Sequence, residues 1–142
     1  MPITVAISVH EKHPQLHGIT MSHEITWEAR GVYKRFTGFV SYDEYARTQE
    51  EILSDPRVDS IHYIINDFLE VDGYSVTRDQ VEYLAAFNRG TSLSNPRIRI
   101  AYVVKTQAAR LLVKAGSAIS SLKLKDFSTL EAARAWTEGT GA

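Results

Sequence analysis

Ile61-His62-Tyr63-Ile64-Ile65-Asn66-Asp67 is a nearly continuous apolar run closed by two polar residues. A strand with one wet face alternates apolar and polar side chains. A run without alternation needs cover on both faces, as in the parallel part of an α/β sheet. Ile98 to Val104 repeats the pattern. The two runs are predicted to be adjacent central strands of one sheet, the first stopping at Asn66-Asp67.

Working outward, the segments between such runs change period. Ser41-Tyr42-Asp43-Glu44 has the form of a capping box, and Tyr42, Tyr45, Ala46, Gln49, Ile52 and Leu53 then fall on one helical face. Pro56 ends that helix near Asp55. Asp67 to Val76, with Gly73, is expected to be a loop. Thr77-Arg78-Asp79-Gln80 is a second box, followed by a stripe of Val81, Leu84, Ala85 and Asn88; Gly90 and Asn95-Pro96 punctuate the exit. Thr106 can cap a third helix carrying Ala108, Leu111, Leu112 and Ala115, with Gly116 at its end or within it. Leu122 to Phe127 reads as a last strand, with Lys123 and Lys125 on its wet face. Ser128-Thr129-Leu130-Glu131 is a third box, and Leu130, Ala133 and Trp136 pack the closing helix. Upstream, Glu24 to Glu28 and Val32 to Val40 form a β-hairpin around the turn glycine Gly31. Ile3, Val5, Ile7 and Val9 alternate as a first strand, and His10 to Ser22, broken by Pro14 and Gly18, is a linker. The order β, β-hairpin, α, β, α, β, α, β, α predicts a single α/β domain. Its sheet is mixed and mostly parallel, with an antiparallel edge hairpin and helices packed on it.

Composition narrows the function classes. The chain has 142 residues, 44% of them hydrophobic and 23% charged, which are ordinary globular values. Sixteen basic and 17 acidic residues give a net charge of -1, without the basic excess of a nucleic-acid binder. There is no cysteine, hence no disulfide, thiolate zinc site or cysteine nucleophile. The N-terminus lacks the pattern of a signal peptide, and no apolar run approaches the roughly 20 residues of a membrane span. A cytoplasmic protein that binds neither membrane nor nucleic acid is expected.

The element order resembles the STAS fold of bacterial anti-sigma-factor antagonists. From about His23 to Gly139 the chain is similar to an uncharacterised SpoIIAA-like branch of that group. The matching words are Glu24-Ile25-Thr26-Trp27-Glu28 with Gly31-Val32-Tyr33, Asn66-Asp67-Phe68, Asn95-Pro96-Arg97, and Ser128-Thr129-Leu130-Glu131-Ala132-Ala133-Arg134-Ala135-Trp136. The resemblance divides the chain into an N-terminal extension, 1–22, and a SpoIIAA-like domain, 23–139. It implies a non-enzymatic interaction or regulatory module whose partner is another protein. In the antagonists a strand ends in Asp and a loop then presents a phosphorylated Ser at a helix start. Here Asp67 and Ser75 take those places, but Val76 and Thr77 replace the small residue and Gly that follow that serine, so Ser75 is expected not to be an efficient kinase target.

The alternative reading is a small-ligand domain or a small enzyme. The seven Tyr and five Phe could line an internal cavity, and one bounded by Phe68, Tyr74 and Phe87 would favour it. No nucleophile elbow, P-loop or dinucleotide fingerprint is present, so no catalytic residue and no cofactor is assigned. His10, His13 and His17 would align on a helix with Glu11 beside them, but Pro14 breaks that helix, and a solvated linker rather than a metal site is expected. Ligands of open α/β sheets collect beyond the carboxyl ends of the parallel strands. That edge carries the candidate binding residues Asp67, Ser75, Thr77, Lys105 and Thr106. Helix starts at Thr77 and Thr106 offer free N–H groups to an anion or a phosphorylated residue. Taken singly, the two threonines need be no more than caps and Asp67 no more than a brace for the loop. Finally, the first strand must pair with something, since a lone strand is unstable. Exchange of this arm predicts a homodimer, and fold-back onto its own sheet is the alternative.

Overall fold

The computed structural model describes residues 4–8, 22–119 and 123–139, and of 4–8, 91–94 and 119 the backbone alone. Six strands, β1 (Thr4–Ser8), β2 (Ser22–Trp27), β3 (Gly31–Ser41), β4 (Tyr63–Thr77), β5 (Arg99–Val103) and β6 (Lys123–Phe127), make one sheet. Four helices accompany them: α1 (Tyr42–Leu53), α2 (Arg78–Ser94), α3 (Gln107–Ile119) and α4 (Leu130–Thr137). The sheet order is β2-β3-β4-β5-β6, with β1 on β4. β2 is antiparallel to β3 and β1 to β4; the other pairs are parallel. The two apolar runs of the sequence are therefore neighbours at the centre, as their lack of alternation requires.

The core lies on both faces of the sheet. Val32, Ile64 and Ile100 meet Ile52 of α1 together with Val58, Ile61 and Ile98. Phe36, Val40, Tyr45 and Val71 form a second cluster. On the opposite face Tyr63, Ile65, Ala101 and Val103 meet Ala133 of α4. Asn95 ties the exit of α2 to the start of β4: its buried amide donates to Val58 O at 2.9 Å and Ile61 O at 3.0 Å. Two carbonyls outside regular pairing are thereby satisfied.

The caps follow the sequence with small differences. Ser41 accepts from Glu44 N, but the Glu44 carboxylate takes the Ser41 hydroxyl instead of reaching back to its N–H. The box at Thr77 is complete, with Gln80 N donating to Thr77 Oγ1 and Thr77 N to Gln80 Oε1. In the third box the cap is Thr129 and not Ser128, since Thr129 Oγ1 accepts from Ala132 N. Gly90 and Gly116 lie inside α2 and α3.

The expected stop at Asn66-Asp67 and the expected loop from Asp67 to Val76 are corrected: β4 runs on to Thr77. The long β3 supplies a partner as far as Ser41, opposite Ser75, and absorbs the mismatch in register shifts at 35/37 and 38/39. Gly38, with φ 78, takes the left-handed conformation that such an irregularity needs. On the other side of β4, past the end of β5, β1 completes the ladder, with Thr4 opposite Thr77 and Ser8 opposite Gly73. The first strand's need for a partner is thus met within its own chain. The linker expected from His10 to Ser22, and with it His10, Glu11, His13 and His17, lies outside the described residues except for Ser22, which opens β2. No described helix is long and apolar enough to cross a membrane. Among the described residues no group of three or more His, Asp or Glu could hold a metal.

Candidate functional site

The candidate binding residues do not converge. Asp67 is buried within β4 and belongs to the α4 face, where it accepts from the Tyr33 hydroxyl at 2.5 Å and from Leu69 N at 3.0 Å. Thr77 has both its hydroxyl and its N–H engaged in the α2 cap. Ser75 sits in the sheet, between Ala6 of β1 and Ser41 of β3, and not in a loop at a helix start. Lys105 and Thr106 line a shallow cleft of about 30 Å³ with Tyr74, and Thr106 Oγ1 caps α3 by accepting from Ala109 N.

What the fold builds instead is a cavity of about 130 Å³, open on one side, beneath α2 and α3. Its walls are Val40, Phe68, Leu84, Leu112, Val113 and Leu124, among others. Phe68 is the hub of the aromatic floor, meeting Phe36 edge-on at 4.8 Å, Tyr45 at 5.9 Å and Tyr102 at 6.3 Å between ring centres. The polar groups at the wall are few. The Tyr45 and Tyr102 hydroxyls are 2.9 Å apart, and burial pushes both phenols up. The Tyr74 hydroxyl is buried without a hydrogen bond of ordinary geometry, although the Thr106 side chain is near enough to temper the rise that burial causes in its pKa. Asn88, Ser41, Tyr42 and Ser75 complete the polar lining.

Behind this wall lies the most unusual group of the protein. Lys34, on β3 between the buried Val32 and Phe36, is wholly inside the structure. Its ammonium donates to Thr48 Oγ1 at 3.1 Å and to Gln49 Oε1 at 2.9 Å, and lies 4.7 Å from the centre of the Tyr45 ring. Gln49 Nε2 passes the connection on to Asn88 Oδ1 at 3.0 Å. Burial pulls the Lys34 pKa down to about 7, against a weaker pull upward from Glu51. Asn66, opposite Lys34 in the β3–β4 register, is fully buried with neither amide atom hydrogen-bonded. Sequence reading missed Lys34, yet a signal was there: the period of two that makes Val32 and Phe36 inward-facing makes Lys34 inward-facing as well.

The α4 face carries a different cluster. Arg134 holds Glu28 with two hydrogen bonds, at 3.0 and 2.8 Å, and the Tyr63 hydroxyl donates to Glu28 Oε1 at 2.5 Å. It fastens the closing helix to the turn of the hairpin. The Arg134 hydrogen bonds hold the Glu28 carboxyl below its usual range despite partial burial. A carboxylate with a depressed native pKa contributes stability that is present above its unfolded pKa and lost as pH falls through the native one. Glu28→Gln should therefore cost about 1–2 kcal/mol at neutral pH, and urea unfolding should show the difference shrinking as the solution is taken below the ordinary carboxylate range. A difference independent of pH would assign the effect to packing instead.

Taken together, these features define a single-domain mixed α/β protein with an apolar cavity on one face. The fold is SpoIIAA-like. The anti-sigma factor antagonist SpoIIAA in its unphosphorylated form matches with a TM-score of 0.58 at 13% identity, over 83% of this chain and 99% of that one. An uncharacterised DUF3478-family protein with a SpoIIAA-like fold from Shewanella loihica PV-4 matches with a TM-score of 0.50 at 15% identity, over 83% of this chain and 94% of that one. No protein-family model matches the sequence, and no curated protein is significantly similar to it.

Proposed function

We propose that this protein is a non-enzymatic binding module that takes a small apolar molecule in the cavity beneath α2 and α3. The observation that carries the reading is the cavity: about 130 Å³ walled by aliphatic and aromatic side chains and without a charged group among the described lining residues. An apolar cavity of about 150 Å³ in another protein stays dry and accepts benzene. Of the three residues expected to bound such a space, Phe68 and Tyr74 line it and Phe87 does not; Phe87 stacks beside Tyr83 at 6.4 Å. Benzene titrated into the methyl-labelled protein should shift the signals of Leu84, Leu112, Val113 and Leu124 saturably. Gly116→Leu should abolish the effect by filling the space, since a Cβ at Gly116 meets only Leu124 Cδ2, at 3.8 Å. Methyl signals that ignore benzene up to its solubility limit would exclude the reading.

The likeness to an anti-sigma factor antagonist favours a second reading, in which the module binds another protein. Under it Ser75 is not a phosphate acceptor, because a kinase would have to strip β4 of its hydrogen bonds to β1 and β3 to reach an extended segment. Stoichiometric phosphate on Ser75 after incubation with an anti-sigma kinase would overturn that statement.

A further inference from the structure

Lys34 is a wholly buried cation, and among the described residues no carboxylate stands within ion-pairing distance of it. A buried charge ordinarily has a counter-ion. Two paths from Lys34 to the cavity end on donors. The Lys34 ammonium fixes Gln49 with Oε1 inward, so Gln49 donates through Nε2 to Asn88 Oδ1. That occupies one of the two lone pairs of Asn88 Oδ1, and the Asn88 amide group is the donor it can turn to the cavity. The Tyr45–Tyr102 pair has two hydroxyl protons and uses one in its mutual bond, leaving one for a third atom. The Tyr74 hydroxyl, also at the wall, donates to nothing with good geometry. No Asp or Glu is among the residues that line the cavity.

We propose that the molecule held in the cavity has an apolar body and a single carboxylate, which accepts the one free proton of the Tyr45–Tyr102 pair and a proton of the Asn88 amide, and serves as the counter-ion of Lys34 across the Tyr45 ring. The proposal rests on the cavity reading above and names the chemistry of its ligand. The apolar walls take the body; the surplus of donors and the buried cation select an anionic acceptor over a neutral or basic head. The titratable groups that face Lys34 are Tyr45, Tyr102 and, from the outer side of α1, Glu51. Both phenols are pushed above their ordinary range, so Lys34 is the member of this group that changes charge near neutral pH. Its loss of charge should weaken anion binding as pH rises.

The test compares benzene, benzoate and its neutral isostere nitrobenzene by methyl-shift titration of the full chain. At about pH 6 benzoate should bind about tenfold more tightly than nitrobenzene, and at about pH 9 it should lose most of that preference, while benzene is insensitive to pH. Lys34→Met should abolish the preference and leave benzene affinity within about twofold. Benzoate no tighter than nitrobenzene at the lower pH, or a preference that survives Lys34→Met, overturns the proposal. Should the variant not fold, the pH series on the native chain decides alone, and a pH-independent benzoate affinity is the adverse result. Benzene binding without a benzoate preference sinks only this inference; failure of all three probes removes the cavity reading with it.

Discussion

Lys34→Met will make the fold more stable, by about 1–3 kcal/mol at and below neutral pH. The native state keeps an amine in the interior with hydroxyl and amide partners but no anion. Burial has drawn its pKa from 10.5 to about 7. Methionine of similar length removes the desolvation of the charged form. It also removes two hydrogen bonds and leaves Gln49 Oε1 without its donor, which offsets part of the gain at about 1–3 kcal/mol. The sign of the pH effect follows from proton counting. Between about 7 and the ordinary lysine pKa of about 10.4 the unfolded chain binds a proton that the native chain does not. Native stability therefore rises with pH across that window, is fully present above it, and is lost as pH falls through about 7. The variant lacks this slope. Urea unfolding of both proteins at several pH values should show the variant ahead at low pH, with the gap narrowing as pH rises. A variant less stable than the parent at about pH 6 would show that the hydrogen bonds of the amine outweigh its burial, and a gap that does not move with pH would show that the amine keeps an ordinary pKa in the native state.

This group also marks where the sequence was legible and where it was not. Strand and helix identities were readable because burial on two faces leaves an uninterrupted apolar run, as at Ile64 and Ile65, and because helix starts need specific caps, as at Ser41 and Thr77. The second half of β4 was misread because Glu70, Asp72 and Gly73 resemble a loop. Leu69-Glu70-Val71-Asp72 nevertheless alternates, and the structure exposes Glu70 and Asp72 while burying Val71. The cavity was legible only as a question about aromatic residues. Its walls come from α1, α2, α3 and four strands, and the space left between them depends on how those surfaces approach. The polar relay was illegible for the same reason: Lys34, Gln49 and Asn88 belong to three elements, and each alone looks like an ordinary polar residue on an amphipathic face. The candidate anion edge is spread over separate places in the fold, since Thr77 and Thr106 cap different helices and Asp67 points to the other face, and a sequence does not show that separation.

Gly31→Ala will destabilise the protein by about 3 kcal/mol or more, through a collision and not through backbone strain. Gly31 was expected to serve the hairpin turn. The positive-φ glycines of the described chain are Gly38 and Gly139, and Gly31 is the first residue of β3, paired in register with Tyr63 of β4. A Cβ on Gly31 would stand 2.3 Å from Tyr63 Cε1 and 2.4 Å from Cδ1, so the ring packs directly over the glycine backbone. The ring has nowhere cheap to go. It is buried in the core of the α4 face, and its hydroxyl is held by Glu28, itself clamped by Arg134. Moving it means opening the cluster that fastens α4 to the hairpin. The pair can be separated by a double-mutant cycle. Tyr63→Ala alone should cost about 3–5 kcal/mol, as aromatic truncation in a core does. In its presence Gly31→Ala should cost almost nothing, because the atoms it collides with are gone, and the two changes should be non-additive by about 3 kcal/mol. Thermal or urea unfolding of the four proteins measures the cycle. Additive costs would mean that Gly31 is required for the conformation of the turn after all, and that its contact with Tyr63 is incidental.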